Sequence, residues 1–462
     1  MKLSLLLLLF GIFEASLLPA QCWKQIKFSK GTAIAINIDG SLWTWGSNED
    51  GKLGIDSSSH FYKISTPVQV GSDNDWDQID AGWDVILVLK NNGTLWSWGD
   101  NAQGQVGNNS VNQVLSPIQV GMESDWAKVI AGTFTAYAIK NDNTLWAWGN
   151  NSHGSYGDGT TWDYKIPHLI GSFDQWMQIK CGNYHAAGIK IDSSLWTWGS
   201  NEFGELGLGQ PAIYRKSPFQ IAPGTAWKYV ETGIGYTMAI RNDGTLWGFG
   251  RNENGQLGDS VLTNKYEPIQ IGKETNWSKV YLGGWRHTIG LKTDGTLWAW
   301  GNNISGQLGN GTTISSSNPI QVGTANDWAN ADVGYGTNVA RNSRGEYYAW
   351  GHNLEGSVGN GNFNNQLAPV LLNCDLVKTS ELTNGTFNIF PNPTADNIRI
   401  ETNGISLSNV ELEIRDVLGR IVFKNIYLNR ITPISVHHFE SGMYILTIKN
   451  TKSQYSSLFY KI

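Results

Sequence analysis

The sequence predicts an all-β chain: a seven-bladed β-propeller followed by a small C-terminal β-sandwich. Three observations carry that prediction. Glycine and tryptophan are abundant, 54 and 22 of 462 residues, while charged residues are only 16%. A Leu-Trp-x-Trp-Gly core recurs, with its second aromatic at 45, 98, 148, 198, 249, 300 and 350. After Leu372 the tryptophans have stopped and a different strand-rich composition begins. Gly, Trp, Asn and Thr are poor helix formers, so little helix is expected. The apolar and aromatic content excludes a disordered chain, and glycine without a three-residue period excludes collagen.

Each copy contains four apolar segments. The first is Trp-x-x-[Ile/Val], opened by Trp23, Trp76, Trp126, Trp176, Trp227 and Trp277; Trp328 opens the last copy without the aliphatic partner. The second alternates, as in Ala33-Ile34-Ala35-Ile36. Asp39-Gly40, Asn92-Gly93, Asp243-Gly244 or Asp294-Gly295 then predicts a two-residue hairpin, because these pairs supply positive φ. The third segment is Leu-Trp-x-Trp. The fourth is expected to start at Pro67, Pro117, Pro167, Pro218, Pro268, Pro319 or Pro369, where proline loses no ladder bond. Four short strands repeated seven times describe a propeller. A solenoid is disfavoured because the end copies carry no polar caps. Between the third and fourth segments lies Asn-x-x-Gly-x-[Leu/Val]-Gly, as in Asn48-Gly51-Leu53-Gly54. These glycines permit a left-handed or crowded backbone between blades. No Lys-Ser/Thr and no helix follows, so this is not a phosphate loop.

The full unit, Leu-Trp-x-Trp-Gly-x-Asn-x-x-Gly-x-Leu-Gly, resembles the repeat of the regulator of chromosome condensation family, over residues 21–372. The resemblance implies a propeller used as a binding platform. The family's nucleotide-exchange and chromatin roles are not expected here, because the chain is acidic, with net charge −6, and begins like an exported protein. The tryptophan-rich form also resembles secreted bacterial members, one of which caps beta-lactamases.

Residues 1–20 read as a signal peptide: Lys2, the apolar run from Leu3 to Phe13, and a cleavage site near Ala20. Glu14 stops the run short of a membrane span. Residues 373–386 read as a linker. Residues 387–462 carry strand-like runs at 398–400, 411–414, 421–423, 444–448 and 458–460. Phe390-Pro391-Asn392-Pro393, Asp416-x-Leu418-Gly419-Arg420, Ser441-Gly442-x-Tyr444 and Lys461 resemble the type A C-terminal sorting domain of the type IX secretion system of Bacteroidota. That resemblance implies engagement of the type IX machinery and a secreted or cell-surface location. Cys22, Cys181 and Cys374 make neither a disulfide framework nor a zinc motif, though one bridge with a thiol left over is open to them.

No His-Glu-x-x-His, Gly-x-Ser-x-Gly or EF-hand loop occurs, so no catalytic residue, cofactor or metal site is expected. The functional signal is positional. After each first strand an aromatic recurs: Trp83, Phe134, Tyr184, Tyr236, Trp285 and Tyr335, with Asp84, His185, Arg286 and His287 interleaved. These positions vary between copies while the scaffold does not. Their makeup is that of a binding hot spot on one face; the alternative is that they cap the core or line the channel. The expected partner is an extracellular protein or glycan, with no nucleic acid, no membrane span in the mature chain, and a monomeric state. A structural adhesion protein and an extracellular hydrolase are the alternatives. A second variable region holds Phe61, Tyr62, Trp162, Tyr164, Tyr214, Arg215 and Tyr266. Only Trp83, Trp162 and Trp285 fall outside the scaffold pattern of tryptophans.

Overall fold

The structure, a computed structural model, describes residues 22–55, 63–210 and 214–372. Toward the C-terminus it describes 386–390, 394, 396–403, 410–416, 420–427, 434–449 and 454–461. The signal segment, Phe61, Tyr62, Cys374, Pro391 to Pro393 and Leu418-Gly419 lie outside the described residues.

Seven four-stranded antiparallel sheets, each in simple sequence order, form the blades, at 23–69, 76–119, 126–172, 176–221, 227–271, 277–321 and 328–371. The first strands neighbour one another in turn, and that of blade 7 neighbours that of blade 1, so the ring is closed. They line a central channel of about 600 Å³. The only helical element among the described residues is a single 3-10 turn, Glu49–Gly51.

The turn between second and third strands is one residue longer than two. Gly40 N–H donates to the Asn37 carbonyl, and Gly40 has φ 82° while Asp39 keeps negative φ. This is a type I turn followed by a left-handed residue, which needs only one positive φ. That economy explains why blades 3 and 4 manage with Asn143 and Ser193 at φ 61° and 67°. The turn also orients the scaffold. Asp39 Oδ1 accepts from the Ser41 hydroxyl, which accepts in turn from Trp43 Nε1 at 2.8 Å. The same relay recurs through Thr94 to Trp96 and Thr296 to Trp298. Trp96 meets Trp76 edge to face at 5.7 Å, and the Lys90 ammonium lies 4.6 Å from the Trp76 ring.

The second aromatic of each core reaches the other way. Trp98 Nε1 donates to the Lys52 carbonyl of the preceding blade at 2.8 Å. Trp148 reaches Gln105, Trp198 reaches Ser155, Trp300 reaches Gln256 and Trp350 reaches Gln307, at 2.8 to 3.0 Å. The loop carrying the carbonyl is shaped by its asparagine: Asn101 Oδ1 accepts from Val106 N–H, and Asn303 Oδ1 from Leu308 N–H. Its last glycine gives the indole room. A Cβ on Gly258 would stand 2.8 Å from Trp300 Nε1, and Gly258 has φ 83° besides.

The prolines do not begin the fourth strands. Pro67 lies inside Lys63–Gln69, where the ladder skips from Thr44↔Val68 to Gly46↔Ile64. A bulge on an outer strand leaves its N–H groups unpaired, so proline is tolerated there.

The seam between blades 7 and 1 uses the same contacts. Trp45 Nε1 donates to Ser357 O at 2.8 Å, and Lys27 Nζ lies 2.6 Å from Asp332. Trp23, Ala33 and Trp45 share a buried cluster with Val339, Ala349, Val358 and Leu372. Cys22, which is disulfide-bonded, packs against that cluster, and Cys181 is a free thiol.

In the C-terminal part, one sheet holds Thr386–Phe390, Asn397–Asn403 and Ile434–Ser435; the other holds Ile421–Tyr427, Val410–Asp416, Gly442–Lys449 and Gln454–Lys461. Ile398, Leu412, Ile414, Val436, Leu446 and Ile448 are in their common core. The Asp416 carboxylate binds the Arg420 guanidinium at 2.7 Å, and Tyr444 donates to the Glu440 carbonyl.

The inter-blade indole bond can be separated from ring packing. Trp300→Phe keeps most of the buried ring but loses the bond to Gln256 O, which Thr288 also occupies. Denaturant unfolding is expected to show a loss of about 1 kcal/mol. Trp300→Ala is expected to lose about 3–5 kcal/mol.

Candidate functional site

The turns between first and second strands share one face with the asparagine loops, because the end of each third strand pairs with the start of the second, as in Thr32↔Gly46. The ten candidate residues do not occupy one equivalent position there. Trp83, Trp285 and Tyr335 lie two residues before the second strand, beside Ile234 of blade 5. Asp84, Phe134, Tyr184 and Arg286 lie one residue before it. His185, Tyr236 and His287 are the first residues of the strand itself.

This offset decides burial. His185, Tyr236 and His287 have no exposed surface. Contrary to the expectation of an open binding face, these three are packing positions that tie neighbouring blades. His185 Nε2 meets Thr237 Oγ1 at 3.0 Å, Tyr236 donates to the His287 carbonyl at 2.9 Å, and His287 Nε2 donates to Asn338 Oδ1 at 2.7 Å. Burial holds the His185 imidazole down to about 3 and that of His287 to about 4. A second proton on His287 would sit on Nδ1, which meets no acceptor of the chain.

Asp84 is also engaged beneath the face. It lies 3.0 Å from the fully buried Lys52 ammonium; burial pushes its carboxyl up, and the ammonium pulls it down.

The remaining aromatics form two groups. Trp83 packs edge-on to Tyr335 at 4.6 Å, and Trp285 meets Tyr335 at 5.0 Å and His352 at 4.6 Å. Trp285 N–H also donates to the Tyr335 carbonyl at 2.6 Å. Phe134 stacks on Tyr184 at 5.1 Å, with His153 on its other neighbour side at 4.8 Å from Tyr184. The first group walls a depression of about 260 Å³ that Arg286 and Ile304 also line. Trp83, Ile234 and Tyr335 line both this depression and the channel mouth.

Ile304, 65% exposed, and Ile234 were not singled out by residue type. Ile304 was legible as a departure: the equivalent loop position is Glu49, Glu202 and Glu253 in other blades. In the second variable region Trp162 is 72% exposed, while Tyr164 stacks on His168 at 3.7 Å and Arg215 lies over Phe219. Tyr214 and Tyr266 are exposed.

Inside the channel, Lys27, Asp80, Ile130, Lys180, Glu231, Tyr281 and Asp332 occupy one level. Lys27 lies between Asp332 and Asp80, and Lys180 lies 2.7 Å from Glu231. Burial opposes the charge on Lys27, and the two carboxylates outweigh it, raising its pKa. The three carboxylates of this ring share two ammoniums: Asp80 and Asp332 both face Lys27, and Glu231 faces Lys180. Among the described residues no cluster of three His, Cys, Asp or Glu is placed to hold a metal ion, and no helix is long and apolar enough to cross a membrane.

Residues 39–89, 92–139, 142–189, 192–240, 243–291 and 294–340 match the family described as the Regulator of chromosome condensation (RCC1) repeat. Each match runs from the third strand of one blade to the second strand of the next. Residues 388–460 match the Secretion system C-terminal sorting domain. That domain marks proteins exported by type IX secretion to the cell surface or extracellular space. Similar curated proteins include the Ultraviolet-B receptor UVR8 of Arabidopsis thaliana, 34% identical over 21% of this chain and 23% of that one. Protein RCC2 of Mus musculus is 34% identical over 19% of this chain and 17% of its own. The chain thus covers less than a quarter of the length of either. Among solved structures, human WBSCR16 aligns with a TM-score of 0.62 at 22% identity, over 72% of this chain and 93% of that one. Prp20p of Saccharomyces cerevisiae aligns with a TM-score of 0.59 at 18% identity, over 67% and 80%. These two likenesses establish the fold.

The buried histidines give the face a pH response. In the unfolded chain they titrate near ~6.5. Their folded values lie below that, so the stability they contribute is present above about 6.5 and is lost as pH falls toward 4. Each lends a slope of about 1.4 kcal/mol per pH unit in that window. His287→Gln is expected to flatten the fall of the unfolding midpoint between pH 6.5 and 4, as followed by thermal melts.

Proposed function

The chain belongs to the regulator of chromosome condensation repeat family, and from that premise we propose that it is an exported, non-catalytic binding module for an extracellular protein or glycan. The observation that carries this reading is the joining of Trp83, Tyr335 and Trp285, from blades 2, 7 and 6, into one half-exposed aromatic wall over the channel mouth. Aromatic side chains held rigid by their neighbours bury large area on binding with little conformational entropy to lose. Phe134 and Tyr184 extend the face on the opposite blades. In keeping with a non-enzymatic reading, the channel acids Asp80, Glu231 and Asp332 are engaged by Lys27 and Lys180. Export would proceed in two stages, the signal segment serving the inner membrane and residues 387–462 the outer one.

The triple change Trp83→Ala, Tyr184→Ala and Trp285→Ala tests the face as a whole. Retention of the protein on cell-envelope and matrix extracts is expected to drop at least tenfold, with an unchanged β-sheet circular dichroism spectrum. Retention that survives the triple change in a folded protein removes the aromatic-face reading.

A further inference from the structure

The depression beside Trp285 has features that select among partners. Its rings are crossed, not laid flat: Trp83 stands at 74° to Tyr335, and Trp285 at 60° to Tyr335. A sugar ring stacks on an open aromatic face, whereas crossed rings offer the walls of a hole. Of the residues that line it, Ile304 alone is exposed, at 65%, while Asn254, Arg286 and Asn302 are half-buried. A hole of about 260 Å³ with aromatic walls and Ile304 at its edge accommodates one large apolar side chain.

The charge at the lip is unbalanced. Glu253 Oε2 accepts from both Arg251, at 2.9 Å, and Arg286, at 3.2 Å. One carboxylate therefore serves two guanidiniums, and Arg286 itself lines the depression. Arg286 has a left-handed backbone, φ 58°, one residue before its strand, and its guanidinium is placed by Glu253. A partner that brings a carboxylate to this lip would complete the pairing.

We infer that this depression receives a large apolar side chain of a partner protein, with an acidic residue beside it set against Arg286. The inference rests on the binding-module reading above and names the class of partner for that site.

A random-peptide library displayed on phage, panned against the intact exported protein, tests it, with a glycan array run in parallel. Selected peptides are expected to share Phe, Trp, Leu or Met with Asp or Glu within two positions. Ile304→Asp and Arg286→Gln are each expected to weaken the best peptide at least tenfold. Ile304 is exposed, so its substitution leaves the blade intact, and thermal melts verify this. Arg286→Glu is expected to shift selection toward basic flanks. A peptide consensus without an acid and indifferent to Arg286→Gln overturns the inference. Glycan binding lost in Ile304→Asp, with no peptide selected, also overturns it while leaving the binding module standing. If neither library nor array yields a ligand sensitive to Ile304→Asp or Trp285→Ala, the inference and the binding-module reading fall together.

Discussion

An indole N–H directed from six of the seven blades to a backbone carbonyl of the blade before is the contact on which the ring depends. Apolar packing between sheets is non-directional and would let blades slide. The indole bond fixes the stagger, because it reaches a carbonyl whose own position is set by the loop asparagine. The same geometry forces glycine at the loop's end, since the indole nitrogen occupies the space of its Cβ. Tryptophan and glycine are thus two halves of one joint, and their shared abundance has one cause. Blade 5 shows what the joint tolerates. Phe249 has no N–H to give, and there the Thr237 hydroxyl alone meets the Glu205 carbonyl.

A frame fixed in this way frees the turns above it. Seven turns begin from equivalent backbone positions, yet they carry Lys30, Trp83, Thr133, Asn183, Ile234, Trp285 and Tyr335 at the same place. Side chains from non-adjacent blades can then meet over the channel, as Trp83 and Tyr335 do across blade 1. Chemistry on this face is set by which turns hold large side chains and which hold small ones.

The blades were legible because the repeat keeps its register through seven copies, so each strand is read seven times. Two details misled. Asp39-Gly40 looked like a two-residue hairpin, but the dipeptide is equally suited to the longer turn found here. Proline looked like a strand start, whereas a bulged outer strand accommodates it internally. The face was half legible. Residue type marked turns that carry large side chains, but burial followed the count back from the second strand. Tyr236 falls on the strand's first residue, opposite Gly250, and is sealed between blades. Trp83, two places earlier, stays half exposed. The meeting of Trp83 with Tyr335 left no trace in a single sequence, because it depends on ring closure.

That closure has its own character. Every blade is woven from one continuous stretch of chain, so no strand of blade 1 is lent to blade 7. Prising the ring apart at its seam would break the Trp45 bond, the Gly361 to Ser65 backbone bond, the Lys27 and Lys63 ion pairs, the Tyr347 bond to Lys24 and one apolar cluster, but no bond of a strand ladder. The seam also joins residues 305 and 312 positions apart, against 46 for the Trp98 joint. For a flexible chain that separation adds about 1.7 kcal/mol of closure entropy. The molecule is therefore a bracelet with a clasp: six joints assemble between neighbours in the chain, and the seventh has to find its mate from the far end.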